Sequence, residues 1–173
     1  MTGQRQREIT EWADAAFGGP WTSNARGVAR MLEEVAELVT AVTTGAPPER
    51  VAGECADVMI CAFRLAAVEG FDLEAVLRQS TLPETREGAV DIVIDVLALT
   101  LRTLLRTVGS HEHGVVGVLG GIALRLHALC VVVEHDLLAE VDAKMEINRR
   151  REWVPDGTGC GRHVKTTTGT VTS

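Results

Sequence analysis

From residue 25 to 44 the apolar residues Val28, Met31, Leu32, Val35, Leu38, Val39 and Val42 recur at three- and four-residue spacing, which predicts a helix with one buried face. Thr22, Ser23 and Asn24 offer N-caps before it, and Gly45, Pro47 and Pro48 end it. The following segment, 49–69, is apolar almost all round from Cys55 to Ala67, with only Asp57 and Arg64 interrupting, so it belongs in the middle of a bundle. A first helix over 3–16 carries Trp12 and stops at Phe17-Gly18-Gly19-Pro20. Gly70-Phe71-Asp72 is a stop followed by a cap, which starts a short helix over 72–79. After Leu82-Pro83, helices are expected over 86–107, 113–133 and 136–152. Gly and Thr dominate from Pro155 onward. The expectation is therefore one all-α helical bundle over 1–153, acidic in its first half (1–82) and carrying a basic stretch in its second (83–153), then a mobile tail over 154–173.

Setting Gly53 on Gly117 and keeping that offset lays GECADV…GFDLEAVLRQ on GVLGGI…EHDLLAEVDA, and six of 27 positions coincide. Among them are Asp72/Asp136, Leu73/Leu137 and Ala75/Ala139, and the same offset sets 28–42 on the largely apolar run 92–106. A duplication and a chance match of amphipathic helices are both open at this level. A duplication would make a pseudo-twofold bundle whose second unit has lost its acids, because Glu34, Glu37, Glu54 and Asp57 fall on Ala98, Leu101, Val118 and Gly121.

Composition narrows the function classes. With 17 Lys+Arg against 24 Asp+Glu the net charge is −7, so no global positive field favours polymeric DNA or RNA. Six aromatic residues and 46% apolar content fit a core of aliphatic helices. Cys55, Cys61, Cys130 and Cys160 show no CxxC or Cys/His zinc spacing and read as reduced packing residues. The start lacks an apolar signal core, and the longest wholly apolar run, Gly114 to Leu124, is too short to cross a bilayer; both point to a cytoplasmic protein without a membrane partner.

Glu34 and Glu37 lie three residues apart, about 60° around a helix, and Glu54 and Asp57 repeat that spacing on the next helix. Antiparallel packing across the GAPP turn would gather four oxygen donors, a nest for hard Mg²⁺ and a poor one for zinc. A solvated charged face explains the glutamates equally well. Asp57, in an otherwise apolar helix, needs a counter-charge, so a metal site and a structural ion pair both remain open. Lys144, Asn148 and Arg151 recur at four and three residues and suit phosphate, while a basic last turn complementing the helix dipole is the plainer reading. Trp12, Phe17 and Trp21 are candidates for stacking on a base, with helix packing as the stronger alternative. GTGCGRH reads as a Gly-rich exit and lacks the GK[ST] ending of a P-loop. His111 and His113 fall in an expected turn, His127 and His135 on or near helices, and none pairs with acids at metal spacing.

EEVAE at 33–37, ECAD at 54–57 and KMEINRRREW at 144–153 together resemble the MazG-like all-α nucleoside triphosphate pyrophosphohydrolases, whose pattern is EExxE, then ExxD, then a Lys/Asn/Arg stretch. The resemblance covers about 8–80 and 136–153, including WADAAFG, which looks like the opening of compact phage and bacterial members. It implies a usually oligomeric α-helical enzyme that splits a (d)NTP into (d)NMP and pyrophosphate with Mg²⁺, Mn²⁺ being a possible substitute. Glu34, Glu37, Glu54 and Asp57 would ligate the ion, Glu33 or Glu37 would act as base, and Lys144, Asn148 and Arg151 would hold phosphates, with Trp12 beside the substrate. One departure stands out: Lys144 comes 87 positions after Asp57, where the short form of the family places its basic stretch soon after ExxD. With the duplication, that spacing implies a composite site, acids from the first unit and bases from the second. The alternatives are a non-catalytic nucleotide- or protein-binding bundle, or a dUTPase or modified-nucleotide hydrolase of the same superfamily. Apolar faces on the helices at 86–107 and 113–133 favour a homo-dimer or larger homo-oligomer.

Overall fold

The computed structural model describes residues 3–80, 88–108 and 115–164. Seven helices stand in the order α1 (Gln4–Phe17), α2 (Asn24–Thr43), α3 (Pro48–Val68), α4 (Leu73–Gln79), α5 (Ala89–Val108), α6 (Val115–Val132) and α7 (Leu137–Arg150), followed by a two-stranded hairpin, β1 (Trp153–Pro155) and β2 (Gly161–His163). The all-α bundle is as the periodicity predicts. Ser23 is the N-cap of α2, its side chain accepting from the Arg26 N–H, and α3 opens with Pro48 in its first turn. The packed core is α2 on α3, α5 on α6, α2 on α5 and α3 on α6. Val28, Met31, Val35 and Leu38 meet Met59, Phe63, Ile92, Val96, Leu119, Ile122 and Leu126 there, all essentially closed to solvent. Gln6 on α1 ties that helix to the α3–α4 turn, donating to the Phe71 carbonyl at 2.7 Å and accepting from the Leu73 N–H at 3.0 Å.

One helix exit and its following cap recur at the offset the sparse identities suggested. The Phe71 N–H bonds the Ala66 carbonyl at 2.9 Å, and the His135 N–H bonds the Cys130 carbonyl at 2.8 Å. Gly70 and Glu134 both take left-handed φ values, 66° and 61°. Asp72 caps α4 through the Ala75 N–H at 2.9 Å, and Asp136 caps α7 through the Ala139 N–H at 2.8 Å. Every one of these pairs keeps the offset of Gly53 from Gly117, so α2–α3–α4 and α5–α6–α7 share a helix-ending motif and a cap at equivalent positions. The third helices are exchanged: α7 of the second unit packs on α3 of the first, and α4 of the first packs on α6 of the second. Reciprocal exchange of that kind is what a pseudo-twofold relation requires.

Two expectations need correction. The tail does not begin at 154: residues 153–164 form the hairpin, with Trp153 opposite His163 and Pro155 opposite Gly161. It holds because Cys160 is buried and accepts the indole N–H of Trp21 at 3.2 Å, and the Thr22 N–H bonds the Thr158 carbonyl at 3.2 Å. Composition hid this, since the Gly residues serve the turn while Trp153 and Cys160 supply the anchors. The second correction concerns α6. Its 18 residues have a mean hydropathy of 2.1, long and apolar enough by length and composition to cross a membrane, although no unbroken apolar run showed it. It packs against α3, α4 and α5 and is more than half buried within the protein. The expected mobility of 165–173 and the expected turn carrying His111 and His113 lie outside the described residues.

Gly159 is where the hairpin approaches the α1–α2 loop most closely. Its φ is 78°, and a Cβ there would collide with the Pro20 carbonyl group. Gly159→Ala is therefore expected to cost about 2 kcal/mol, from the left-handed backbone and the collision together. Thermal melts should show Tm lowered by roughly 4–8 °C. An unchanged Tm would mean that the hairpin is not held at this point.

Candidate active site

One cavity of about 780 Å³ opens between α1, α2, α3, α7 and the hairpin. Its floor follows from helical spacing. On α3, Glu54, Asp57, Cys61 and Arg64 recur at three and four residues; on α2, Arg30, Glu34 and Glu37 do the same, and all seven line the cavity. Side-chain oxygens of Glu34, Glu54 and Asp57 lie within 4.8 Å of one another. Glu37 lines the same cavity but stands outside that group of three. Glu33 does not join it: its carboxylate is half exposed and paired with Arg30 and, at 3.7 Å, with Arg26, on the solvent side of α2.

Each clustered acid already has a cation. Arg30 pairs with Glu34 one turn away, Arg50 reaches Glu54 at 3.7 Å, and Lys144 of α7 pairs with Asp57. The Lys144–Asp57 contact joins the second unit to the first, because α7 lies on α3. Asn148 is buried four residues further along, and Arg151, the C-cap of α7, donates to its side-chain oxygen at 3.4 Å. All three basic-stretch residues named from the sequence line the cavity together with the acids. Burial pushes the Glu34 carboxyl up to about 7 against the pull of Arg30, with Asp57 and Glu37 adding to the rise. Burial also raises Glu54, helped by Asp57 and Glu37. It raises Asp57 too, where Lys144 opposes the rise. A site that is costly to charge despite its internal cations favours a further positive group among the carboxylates, and the all-oxygen donor set suits a hard divalent ion.

The opposite end of the cavity is aromatic. Trp12, Phe17 and Trp153 pack edge to face with centroids 5.2–6.1 Å apart, and His163 stands edge-on to Trp153 at 5.9 Å. Arg64 lies over the Trp21 ring at 4.1 Å and pairs with Asp14 at 3.0 Å. Trp12, Phe17 and Trp21 all line the cavity, Trp21 as a largely buried anchor beneath Arg64. Arg30, Arg64, Trp153 and His163 were not singled out from the sequence as site residues. Arg30 had a legible signal, a basic residue four positions before Glu34. Trp153 closes the KMEINRRREW stretch, but its position beside His163 depends on a turn that composition disguised.

Residues 5–81 match the family model described as phosphoribosyl-ATP pyrophosphohydrolase. That stretch runs from α1 through α4 and contains all of the cavity's acids, so the acidic half is similar to an all-α pyrophosphohydrolase family. The motif resemblance to MazG-like enzymes is thus met by a related family, and over the first unit. Lys144, Asn148, Arg151 and the hairpin lie beyond the phosphoribosyl-ATP pyrophosphohydrolase match. No curated protein and no solved structure matches the chain.

Proposed function

We propose that the protein is a Mg²⁺-dependent pyrophosphohydrolase that splits a (d)NTP into (d)NMP and pyrophosphate. The observation that carries the reading is the placement of Lys144 on Asp57, which sets the basic stretch of α7 against the acid cluster across one cavity. Glu34, Glu54 and Asp57 would hold the ion, with Glu37 alongside; Mn²⁺ would fit the same oxygen donors. Bound there, Mg²⁺ would offset phosphate charge and lower the pKa of a water. The chain's own groups do the rest. Arg30 and Lys144 rest on carboxylates that face the cavity, and a substrate phosphate competes for both; Arg151 and Asn148 add donors at the same end. Of the two acids considered as base, Glu37 faces the cavity and Glu33 does not, so Glu37 takes that role. Arg64 follows Asp57 by seven residues, about 10 Å along α3, which is the reach of a nucleoside from its phosphate toward its base. Trp12, Trp153 and His163, whose rings pack together at the aromatic end of the cavity, would hold the base.

The substrate is thus a small soluble nucleotide, in keeping with a net charge of −7. Free thiols at all four cysteines suit the cytoplasm. The decisive assay is a panel of (d)NTPs with pyrophosphate detection, with and without Mg²⁺. Monophosphate and pyrophosphate formed only with the metal support the proposal. Binding without turnover would support a nucleotide-binding module instead, and turnover confined to dUDP or oxidised dGTP would move the substrate within the superfamily.

Metal binding should depend on pH with a definite sign. The folded Glu34 carboxyl holds its proton up to about pH 7, above its unfolded value near 4.5. The folded state therefore binds more protons than the unfolded one between those values, and this group's contribution to stability falls as pH rises through that window. Mg²⁺ requires the carboxylate, so its apparent affinity should rise about tenfold per pH unit below 7 and level off above it. Calorimetric titration at pH 6, 7 and 8 reads this directly; equal affinity at pH 6 and 8 would remove Glu34 from the ligand set.

A further inference from the structure

The register of the hairpin decides which of its backbone groups are free. The Val164 N–H bonds the Glu152 carbonyl at 2.9 Å, and the Asp156 N–H bonds the Cys160 carbonyl at 3.0 Å. An antiparallel ladder alternates hydrogen-bonded with non-hydrogen-bonded pairs, so Val154 and Arg162 are the bonded pair between those two, while Trp153–His163 and Pro155–Gly161 are non-bonded. Pro155 fits that assignment, because it has no N–H to give the ladder. Gly161 and His163 therefore turn their backbone N–H and C=O groups away from β1, and nothing among the described residues pairs with them there.

This free edge of β2 borders the cavity. Gly161, Arg162, His163 and Val164 all line it, whereas of β1 only Trp153 does. Gly161 permits the close approach: a Cβ there would stand 2.8 Å from the Phe17 ring, so a larger residue would push the strand off the aromatic wall. The side chains at this end are short of acceptors. The His163 ring apart, Trp12, Phe17, Trp153, Arg64 and Arg162 have none, and the Cys160 Sγ already takes the Trp21 indole N–H. The Gly161 carbonyl supplies one, on the peptide unit next to the one that carries the His163 N–H.

We propose that this strand edge reads the base of the nucleotide, the Gly161 carbonyl accepting from it and the His163 N–H donating to it, beside the Trp153 ring. The inference rests on the protein acting on a nucleotide and adds how the base is held. Every nucleobase carries the complement on its pairing edge: an amino group beside a ring nitrogen in adenine and cytosine, a ring N–H beside a carbonyl in guanine and thymine. A free strand edge meets such a pair much as it would meet another strand. Because the reading groups are main-chain atoms, recognition depends on where the hairpin sits. Its anchors, Cys160 on Trp21 and Thr158 on Thr22, are then positioning contacts for the base.

The test uses the full chain with Mg²⁺. The best-used of the four common dNTPs is set against its analogue methylated on the pairing edge: N6,N6-dimethyl-dATP, N4,N4-dimethyl-dCTP, N1-methyl-dGTP or N3-methyl-dTTP. Methylation should lower kcat/KM about tenfold or more. His163→Pro removes the N–H and His163→Ala keeps it, both without the imidazole. That N–H takes no part in the ladder, so the two variants should melt within a few degrees of each other. With the parent nucleotide, kcat/KM should be about tenfold lower for His163→Pro than for His163→Ala; with the methylated analogue the two should be equal. Equal use of parent and analogue by the wild-type chain overturns the proposal. So does a difference between the two variants that is the same for both nucleotides, or a His163→Pro chain that melts far below His163→Ala. Failure to bind or turn over any dNTP is a separate result: it removes the nucleotide reading itself, and this inference falls with it.

Discussion

Asp57→Asn should lower pyrophosphate release from a (d)NTP by about a thousandfold or more, roughly 4 kcal/mol of lost transition-state stabilisation. Asparagine keeps the size of the side chain but removes the charge from the middle of the cluster, where Asp57 is the acid placed on α3 to meet both Glu34 and Lys144. The fold should survive. Burial already raises the Asp57 carboxyl, so a neutral amide relieves a desolvation cost, and Tm in metal-free buffer should stay within a few degrees of the parent. Turnover and melting measured on one preparation separate a lost reaction centre from a lost fold. Wild-type-like turnover under saturating Mg²⁺ would defeat the assignment. The converse variant, Gly121→Asp, should create no second site. Its neighbours in the repeat are Ala98, Leu101 and Val118, and the position equivalent to Lys144 is Ser80.

Lys144→Met should have two separable effects. Without metal, Asp57 loses its counter-ion in a mostly buried setting, which should cost about 1–3 kcal/mol, less than for a fully closed pair because both side chains retain some solvent contact. Mg²⁺ should recover most of that stability, since the carboxylate then has another positive partner. It should not recover turnover. The phosphate loses its point charge from α7, and kcat/KM should fall about 10–100-fold. Melting curves with and without Mg²⁺, set beside steady-state kinetics, read both effects. Stability lost equally with and without the ion would mean that Lys144 serves the fold and that no cation reaches Asp57.

The helices and their ends were open to reading because local chemistry decides them: the Ser23 cap, Pro47-Pro48, and the Gly70-Phe71-Asp72 exit all act over three or four residues. The acid cluster was legible for a similar reason. Glu34, Glu54 and Asp57 lie on facing helices joined by a short turn, and antiparallel packing leaves little freedom in how they meet. The repeat was only suggested by sparse identities, yet its hydrogen bonds recur at the same offset, because a helix exit tolerates Gly70 or Glu134 at the left-handed position while the backbone pattern stays fixed. Glu33, one of the two acids the resemblance offers as base, is adjacent to Glu34 and so lies about 100° around the helix, toward Arg26 and outside the cavity lining. The hairpin escaped altogether. Trp153, Cys160 and His163 gain their meaning from a cluster built on Trp12, Phe17 and Trp21 at the other end of the chain, and no local rule reports such contacts.

The exchange of third helices means that neither half of the polypeptide owns a reaction centre. Because the acids and the lysine travel on one tether, their meeting is intramolecular and does not weaken on dilution. Specific turnover should accordingly hold constant as the protein is diluted, and a loss of turnover on dilution would mean that the acids and the lysine of one site come from different chains.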